Sequence, residues 1–116
     1  MLIATRSGKI NISKEKDTKL IAERLCKHIN LGDFILLTGN LGVGKTTFVK
    51  YIINSLQRIN RQKLSEVPSP TFNITNEYQI KKILIKHYEL YRIKNKKDLN
   101  NLGIQENLKK QITLVE

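Results

Sequence analysis

The sequence contains a single cysteine, Cys26, among its 116 residues. One cysteine excludes an intramolecular disulfide, a zinc site built on several cysteines and a CxxC redox pair, and it is consistent with a reducing cell interior. Around Cys26 the apolar residues recur at helical spacing, which predicts that this side chain is a small core residue and not a reactive thiol.

Long apolar runs are also missing. Residues 1–4 are too few for the apolar region of a signal peptide, and residues 34–37 fall far short of the roughly 20 residues that span a bilayer. We therefore expect a soluble, cytoplasmic protein with no membrane association. The length is in the range of one compact unit, so we expect a single domain over residues 1–116, monomeric in isolation.

Acidic residues are scarce: 10 Asp and Glu stand against 21 Lys and Arg, which gives a formal net charge of +11. Such an excess raises nucleic acid or an anionic surface as a partner. The lysines, however, occur in short scattered groups, with no aromatic residues between them on which bases could stack. We interpret them as a solvated surface and keep an RNA-binding module as an alternative.

The residue patterns predict both helices and strands along the chain. In the first half we predict a strand at 9–12, a helix capped by Ser13 and reaching about Asn30, a strand at 34–37 buried on both faces, and a helix at 45–58. In the second half we predict an exposed connection at 61–70, an antiparallel hairpin of 72–80 with 83–91, short helical stretches at 97–102 and 105–110, and a buried strand at 112–115. The hairpin makes the sheet mixed.

Residues 39–46, Gly-Asn-Leu-Gly-Val-Gly-Lys-Thr, fit the phosphate-binding pattern G-x-x-x-x-G-K-[ST] in full. The glycines let the backbone wrap its N–H groups around phosphate oxygens, and the loop lies between the strand and the helix that the motif requires. Lys45 is expected to reach the β- and γ-phosphates, Thr46 to ligate Mg²⁺, and Thr47 to add a backbone N–H. The sequence therefore predicts a site for a nucleoside triphosphate, most specifically ATP with Mg²⁺.

Hydrolysis of the nucleotide also needs carboxylates that hold Mg²⁺ and orient the attacking oxygen. Glu116 follows a predicted buried strand, as the acidic residue of a Walker B motif does, so it is expected at the carboxyl end of the sheet beside the loop. Glu89 lies on the predicted strand 83–91. Taken alone, either glutamate could instead be an ordinary surface or edge residue.

Further segments follow the phosphate loop in a diagnostic order: S-P-T-F at 69–72, H-Y-E-L-Y-R at 87–92, L-G-I at 102–104 and V-E at 115–116. Together with the loop they resemble the TsaE family, also called YjeE, from about Ile10 to the last residue. The resemblance implies a P-loop NTPase-like three-layer α/β fold with a mixed, mostly parallel sheet. It also implies an ATPase that acts with TsaD and TsaB in the threonylcarbamoyladenosine modification of tRNA adenosine 37, with tRNA contacted through that complex.

The resemblance also assigns roles to individual residues. It implies that Thr46 and Glu116 bind Mg²⁺, that Glu15 approaches the nucleotide base from the first helix, and that Thr71 lies in a switch-like segment. Lys45, Glu89 and Thr71 are thus the catalytic candidates. The residues predicted to bind the nucleotide are Glu15, Gly39, Gly42, Val43, Gly44, Lys45, Thr46 and Thr47.

The sequence departs from the family at two places. Members usually carry Asp at the position of Glu89, where this carboxylate is one methylene farther from its strand, so turnover is expected to change. Members also continue past the V-E pair, so the resemblance implies a domain that lacks the family's C-terminal strands, with an exposed sheet edge and marginal stability. Because no arginine finger is evident, slow intrinsic hydrolysis is expected.

Two other functions fit the same loop. A small kinase would need a lid and an acceptor pocket, for which the chain has little length. A nucleotide- or RNA-binding remnant with a vestigial loop would bind RNA independently of Lys45 and with a steep dependence on salt.

Overall fold

The computed structural model describes residues 8–40, 42–70, 75–90 and 95–116. These residues contain three α-helices and four strands. In chain order they are α1 (Glu15–Cys26), β1 (Phe34–Leu36), α2 (Lys45–Ile59), β2 (Thr75–Ile80), β3 (Ile83–Tyr88), α3 (Lys96–Asn101) and β4 (Gln111–Val115), with a 3₁₀ turn at Leu108–Lys110 before β4. None of these described helices has both the length and the apolarity needed to cross a bilayer.

The four strands form one sheet in the order β1-β4-β3-β2. Strands β1, β4 and β3 run parallel, and β2 pairs antiparallel with β3. This confirms the predicted mixed, mostly parallel sheet. In the register, Val115 lies beside Leu36 on one side and Tyr88 on the other. The three parallel strands therefore end at the same edge, and the residues that follow them are brought together there.

Helices α1 and α2 cover one face of the sheet. The spacing of apolar residues along α2 gives it a buried side, and Ala22 and Cys26 of α1 pack against it. The buried core on this face consists of Ala22, Cys26, Val49, Ile52, Ile53, Leu56, Val67, Ile80, Ile85, Ile112 and Leu114. The prediction that Cys26 is a core residue is confirmed.

The opposite face carries a second, smaller cluster. Val115 and Tyr88 pack there with Ile104, which lies between α3 and β4. Because successive side chains of a strand point to opposite faces, Leu114 belongs to the first core and Val115 to the second. The sheet thus lies between the two helices and the segment around Ile104, which agrees with the three-layer fold.

Two predictions about the N-terminal region are wrong. Residues 9–12 form no strand, and Ile10 is 67% exposed. Ser13 does not cap α1: the residue before the helix is Lys14, and the backbone N–H of Ser13 donates to the side chain of Asn11. The helix also ends at Cys26 and not near Asn30, because the next backbone N–H groups bond only three residues back, which closes the last turn.

The prediction that strand 34–37 is buried on both faces is also wrong. Within the described sheet, β1 is an edge strand with β4 as its neighbour, and Phe34 and Leu36 are 49% and 60% exposed. An apolar run of this kind indicates a strand but does not tell whether it lies at the centre or at the edge.

Most of the other elements agree with the prediction. Helix α2, the hairpin β2–β3 and strand β4 are confirmed, although residues 72–74 and 91 of the predicted hairpin lie outside the described residues. The helical stretch predicted at 105–110 is reduced to the 3₁₀ turn Leu108–Lys110. The connection 61–70 contains no helix or strand, as predicted, but it is not exposed throughout, because Val67 and Pro70 within it are buried.

The environment of Cys26 gives a testable consequence. Burial raises the pKa of its thiol to about 11, an effect that Glu23 adds to and a hydrogen bond with Ser55 only partly offsets. At pH 8 we expect the folded protein to react with Ellman's reagent on the order of 100-fold more slowly than the urea-unfolded chain, because the thiolate is the reactive form. Labelling of the folded protein at the rate of the unfolded chain would contradict this packing.

Candidate functional site

The glycine-rich loop between β1 and α2 has the backbone of an anion-binding turn. Gly44, the residue before α2, has φ 102°, and Gly42 has φ 83°, both in the region that favours glycine. Turns of this kind place successive N–H groups on one concave side. The N-terminus of α2 adds a partial positive charge, and its first turn carries no acidic residue that would offset it.

Lys45 is the first residue of α2, and its side chain folds back over this loop. Its Nζ donates a hydrogen bond to the carbonyl oxygen of Gly39 at 2.7 Å. The ammonium group is therefore held beside the backbone N–H groups of the turn. A cation and an array of N–H donors at one place form a site suited to a polyanion such as a chain of phosphates.

Glu116 follows β4 directly and reaches the start of α2. The hydroxyl of Thr46 donates to its carboxylate, at 2.7 Å from Oε1 and 3.1 Å from Oε2. Nε2 of His87 contacts Oε2 from the side of β3. Burial acts to raise the pKa of Glu116, but the hydrogen bonds from His87 and Thr46 and the charges of His87 and Lys45 outweigh it, so the pKa is lowered. The carboxylate is therefore ionised at neutral pH.

Glu89 follows β3 and is the second carboxylate of the site. It is buried, and its Oε2 accepts a hydrogen bond from the hydroxyl of Ser69 at 2.5 Å. Ser69 belongs to the connection 61–70, so this bond joins the connection to the end of a central strand. The sequence analysis gave Ser69 no role, although it lies in the S-P-T-F segment.

The connection is itself fixed to α2 by a buried network of amides. Gln57 accepts from the backbone N–H of Ser65 at 3.0 Å and donates to its hydroxyl at 2.8 Å. Asn54 donates to Gln57 and to the carbonyl of Ser65, both at 3.0 Å. Because Gln57 is 1% exposed, these bonds form away from competing water. They explain how a chain segment without regular structure delivers Ser69 to a defined place.

The glycine-rich loop, the start of α2 and the two carboxylates line a cleft of about 300 Å³. Its lining residues are Gly42, Gly44, Lys45, Thr46, Thr47, Ser69, Glu89 and Glu116. The structure thus brings together most of the residues predicted for nucleotide and metal binding. Gly39 is connected to the cleft through Lys45, and Val43 is 59% exposed on the loop.

Two predicted residues are placed elsewhere or are not described. Glu15 does not line the cleft, and its carboxylate accepts a hydrogen bond from the hydroxyl of Tyr51 at 2.5 Å. Its predicted contact with the nucleotide base remains a prediction. Thr71 lies outside the described residues, so its predicted catalytic role also remains a prediction.

His87 was not recognised from the sequence as part of the site. A signal for it exists in the pattern His87-Tyr88-Glu89, because residues two apart on a strand share a face. His87 and Glu89 therefore both point to the side of the sheet where α2 begins. The contact from His87 to Glu116 could be found only from the pairing of β3 with β4.

The donor atoms of the cleft suit Mg²⁺. Thr46 and Glu116 offer hydroxyl and carboxylate oxygens, which this hard cation prefers. Among the described residues no three His, Cys, Asp or Glu side chains are grouped as a complete metal cage. A site with few protein ligands fits Mg²⁺, which usually keeps several waters and is shared with substrate phosphates.

A larger hollow, of about 530 Å³, lies on the opposite face of the sheet. Apolar side chains dominate it, among them Phe34, Leu36 and Ile104. Among the described residues that line it, Glu106 is the one charged side chain, and none of them is basic. Its size therefore does not make it the better site for phosphates, and the chemistry favours the smaller cleft.

Comparisons with known proteins identify one family. Residues 12–116 match the family described as "Threonylcarbamoyl adenosine biosynthesis protein TsaE". The chain is 35% identical over 105 residues to the "tRNA threonylcarbamoyladenosine biosynthesis protein TsaE" of Rickettsia felis, covering 90% of this chain and 59% of that protein. It is 35% identical to the protein of the same name from Rickettsia prowazekii, over 90% of this chain and 70% of that protein.

Similar relations hold for a third relative and for a solved structure. The Aquifex aeolicus protein of the same name is 40% identical over 82 residues, or 71% of this chain and 59% of that protein. The crystal structure of Bacillus subtilis YdiB superposes with a TM-score of 0.65 at 28% identity, covering 89% of this chain and 59% of that one. The chain thus spans 59% of the length of the Rickettsia felis relative and 70% of that from Rickettsia prowazekii.

The conformation of Gly44 leads to a prediction about stability. A Cβ at this position meets no atom within 4 Å, so Gly44→Ala introduces no clash and only forces alanine into a left-handed conformation. We expect its free energy of unfolding, measured by urea denaturation, to fall by about 1–2 kcal/mol. Gly8→Ala is the control, since Gly8 also has open space and has no positive φ. Equal stability of the two variants would contradict the loop geometry.

Proposed function

The chain belongs to the TsaE family, and we propose that it binds and hydrolyses ATP with Mg²⁺ in the threonylcarbamoyladenosine modification of tRNA adenosine 37. Its relatives bear the name of this pathway, and the chain matches the family over residues 12–116. We further propose that it acts with TsaD and TsaB, contacts tRNA through that complex, and uses ATP to switch the complex and not as a group donor. As the chain spans 59% of its Rickettsia felis relative, these functions of the whole protein are proposals.

One observation carries the proposal of ATP binding. The hydroxyl of Thr46, at the start of α2, bonds to the carboxylate of Glu116, at the end of β4, within a cleft that the glycine loop and Lys45 also line. A helix N-terminus, an ammonium group and an ionised carboxylate next to a hydroxyl are the groups that a triphosphate with its metal requires.

Each group has a task that follows from its place. The backbone N–H groups of the loop and the ammonium of Lys45 would neutralise charge on the phosphates. Thr46 and Glu116 would hold Mg²⁺, which when bound supplies further charge neutralisation at the phosphates. Glu89, held by Ser69, would orient the attacking water toward the terminal phosphate and accept its proton as a general base.

The described cleft also suggests why intrinsic hydrolysis should be slow. Lys45 is the only basic side chain among the described residues that line it. Enzymes of this kind gain several orders of magnitude in rate from an additional arginine near the transferred phosphate. We therefore propose that turnover rises when TsaD and TsaB are added, and equal turnover with and without them would contradict this part of the proposal.

The phosphate-binding role of Lys45 can be tested by calorimetry. We expect Lys45→Ala to weaken binding of ATP with Mg²⁺ at least about tenfold, since a charge-assisted contact to phosphate contributes roughly 1.5–3 kcal/mol. Lys27→Ala, which removes an exposed charge at the end of α1, should bind as the unsubstituted chain does. Unchanged ATP affinity in Lys45→Ala, together with RNA binding that falls steeply with salt, would favour the RNA-binding alternative.

A substitution of Glu89 tests its role in hydrolysis separately from ATP binding. We expect Glu89→Gln to keep its affinity for ATP and to lose on the order of 100-fold in phosphate release, measured in the presence of TsaD and TsaB, because the amide no longer accepts the proton of water. Glu77→Gln is the control, since Glu77 is exposed on β2 and paired with Lys86. Phosphate release by Glu89→Gln at the rate of the control would remove Glu89 from the mechanism.

A further inference from the structure

His87 is fully buried, at 0% exposure, and takes no part in the reaction proposed above. It lies on β3 between two neighbouring strands, beside Leu114 of β4 and Asn76 of β2. The backbone of His87 is therefore fixed on both sides, and its ring has little freedom to move. A histidine at the centre of a sheet needs an explanation, because a polar ring is costly to bury without partners.

The ring makes one contact with a polar group. Its Nε2 meets Oε2 of Glu116, whereas Nδ1 has no hydrogen-bond partner among the described residues. An ionised carboxylate can only accept, so Nε2 of the ring carries a proton that is directed at Glu116. Nδ1 is a buried polar atom without a partner among the described residues, so the contact with Glu116 is the polar contact of the ring there.

Packing alone does not account for this residue. An apolar side chain at position 87 would fill the same space in the core without leaving a ring nitrogen unpaired, and such replacements of buried polar groups are often neutral or stabilising. The feature that histidine supplies here and an apolar residue could not is the N–H directed at Glu116. We therefore attribute the presence of a buried imidazole at this position to its contact with Glu116.

Glu116 is held from several directions as a result. Its backbone N–H donates to the carbonyl of Tyr88 at 2.9 Å, and its carbonyl accepts from Leu90 at 3.0 Å. Its carboxylate receives the hydroxyl of Thr46 from one side and the ring of His87 from the other. Strand β3 therefore fixes both the backbone and the side chain of this residue.

We propose that His87 is a positioning residue, which holds the Glu116 carboxylate against Thr46 in the orientation that binds Mg²⁺. The inference rests on the proposed nucleotide site and adds to it the group that orients the metal-binding carboxylate. Groups that orient a metal ligand contribute to metal affinity although they never touch the ion, and their loss typically costs 10- to 100-fold.

The test compares ATP affinity with Mg²⁺ and in EDTA, by calorimetry, in matched variants. His87→Leu should keep the affinity for ATP in EDTA and lose about tenfold or more of the gain that Mg²⁺ gives. His87→Gln, whose Nε2 also donates, should recover part of that gain. Gln111→Leu is the control, because Gln111 is an equally buried polar residue of the sheet, at 1% exposure, that bonds to Thr113 and not to Glu116.

Two results of this comparison would overturn the inference. One is a full Mg²⁺-dependent gain in His87→Leu. The other is an equal loss of ATP affinity with Mg²⁺ and in EDTA, which indicates a general effect on the fold. A protein that does not bind ATP before any substitution would instead refute the proposed function.

A second measurement requires neither substitution nor nucleotide. Long-range ¹H–¹⁵N NMR spectra of the folded chain report which ring nitrogen of His87 carries the proton. We expect Nε2 to carry a proton, and we expect Glu116→Gln to shift the Nε2 resonance. A proton on Nδ1 with a bare Nε2 would overturn the inference even if every His87 variant fails to fold.

Discussion

The bond between Thr46 and Glu116 joins the first turn of α2 to the end of β4, and the candidate site depends on it. The two residues are 70 positions apart in the chain. They meet because β1, which leads into the glycine loop, pairs in parallel with β4, so that the loop and Glu116 leave the sheet at the same edge. Parallel strands commonly place loops that bind phosphates at their carboxyl ends, and here the same edge also carries Glu89.

Other parts of the molecule hold the residues of the site in place. Helix α2 buries its apolar side on the sheet and so fixes the direction of its own N-terminus. The buried amides of Asn54 and Gln57, farther along α2, hold the connection 61–70, and that connection delivers Ser69 to Glu89. Both carboxylates are thus oriented by groups that belong to other elements, which is how a site can be defined before any ligand binds.

Much of this could be predicted from the sequence where signals are local. The glycine loop, helix α2, the hairpin and the buried strand before Glu116 all have residue patterns that extend over neighbouring positions. Strand β1 was identified, but its edge position was not, because a short apolar run fits an edge strand as well as a central one. The failure at residues 9–12 has a similar cause: alternating Ile10 and Ile12 fit a strand, yet a strand forms only where a partner accepts its hydrogen bonds.

Contacts between distant segments could not be read from local patterns. Ser69 and His87 lie inside sequence segments that were singled out, but their partners Glu89 and Glu116 are set by strand pairing and by the course of the connection 61–70. The central claim is tested most directly by a crystal structure of the chain with a non-hydrolysable ATP analogue and Mg²⁺. The account predicts the triphosphate on the glycine loop and the ion about 2.1 Å from Oγ1 of Thr46, on the side of Glu116. A nucleotide bound elsewhere, for example in the apolar hollow beside Phe34, would contradict it.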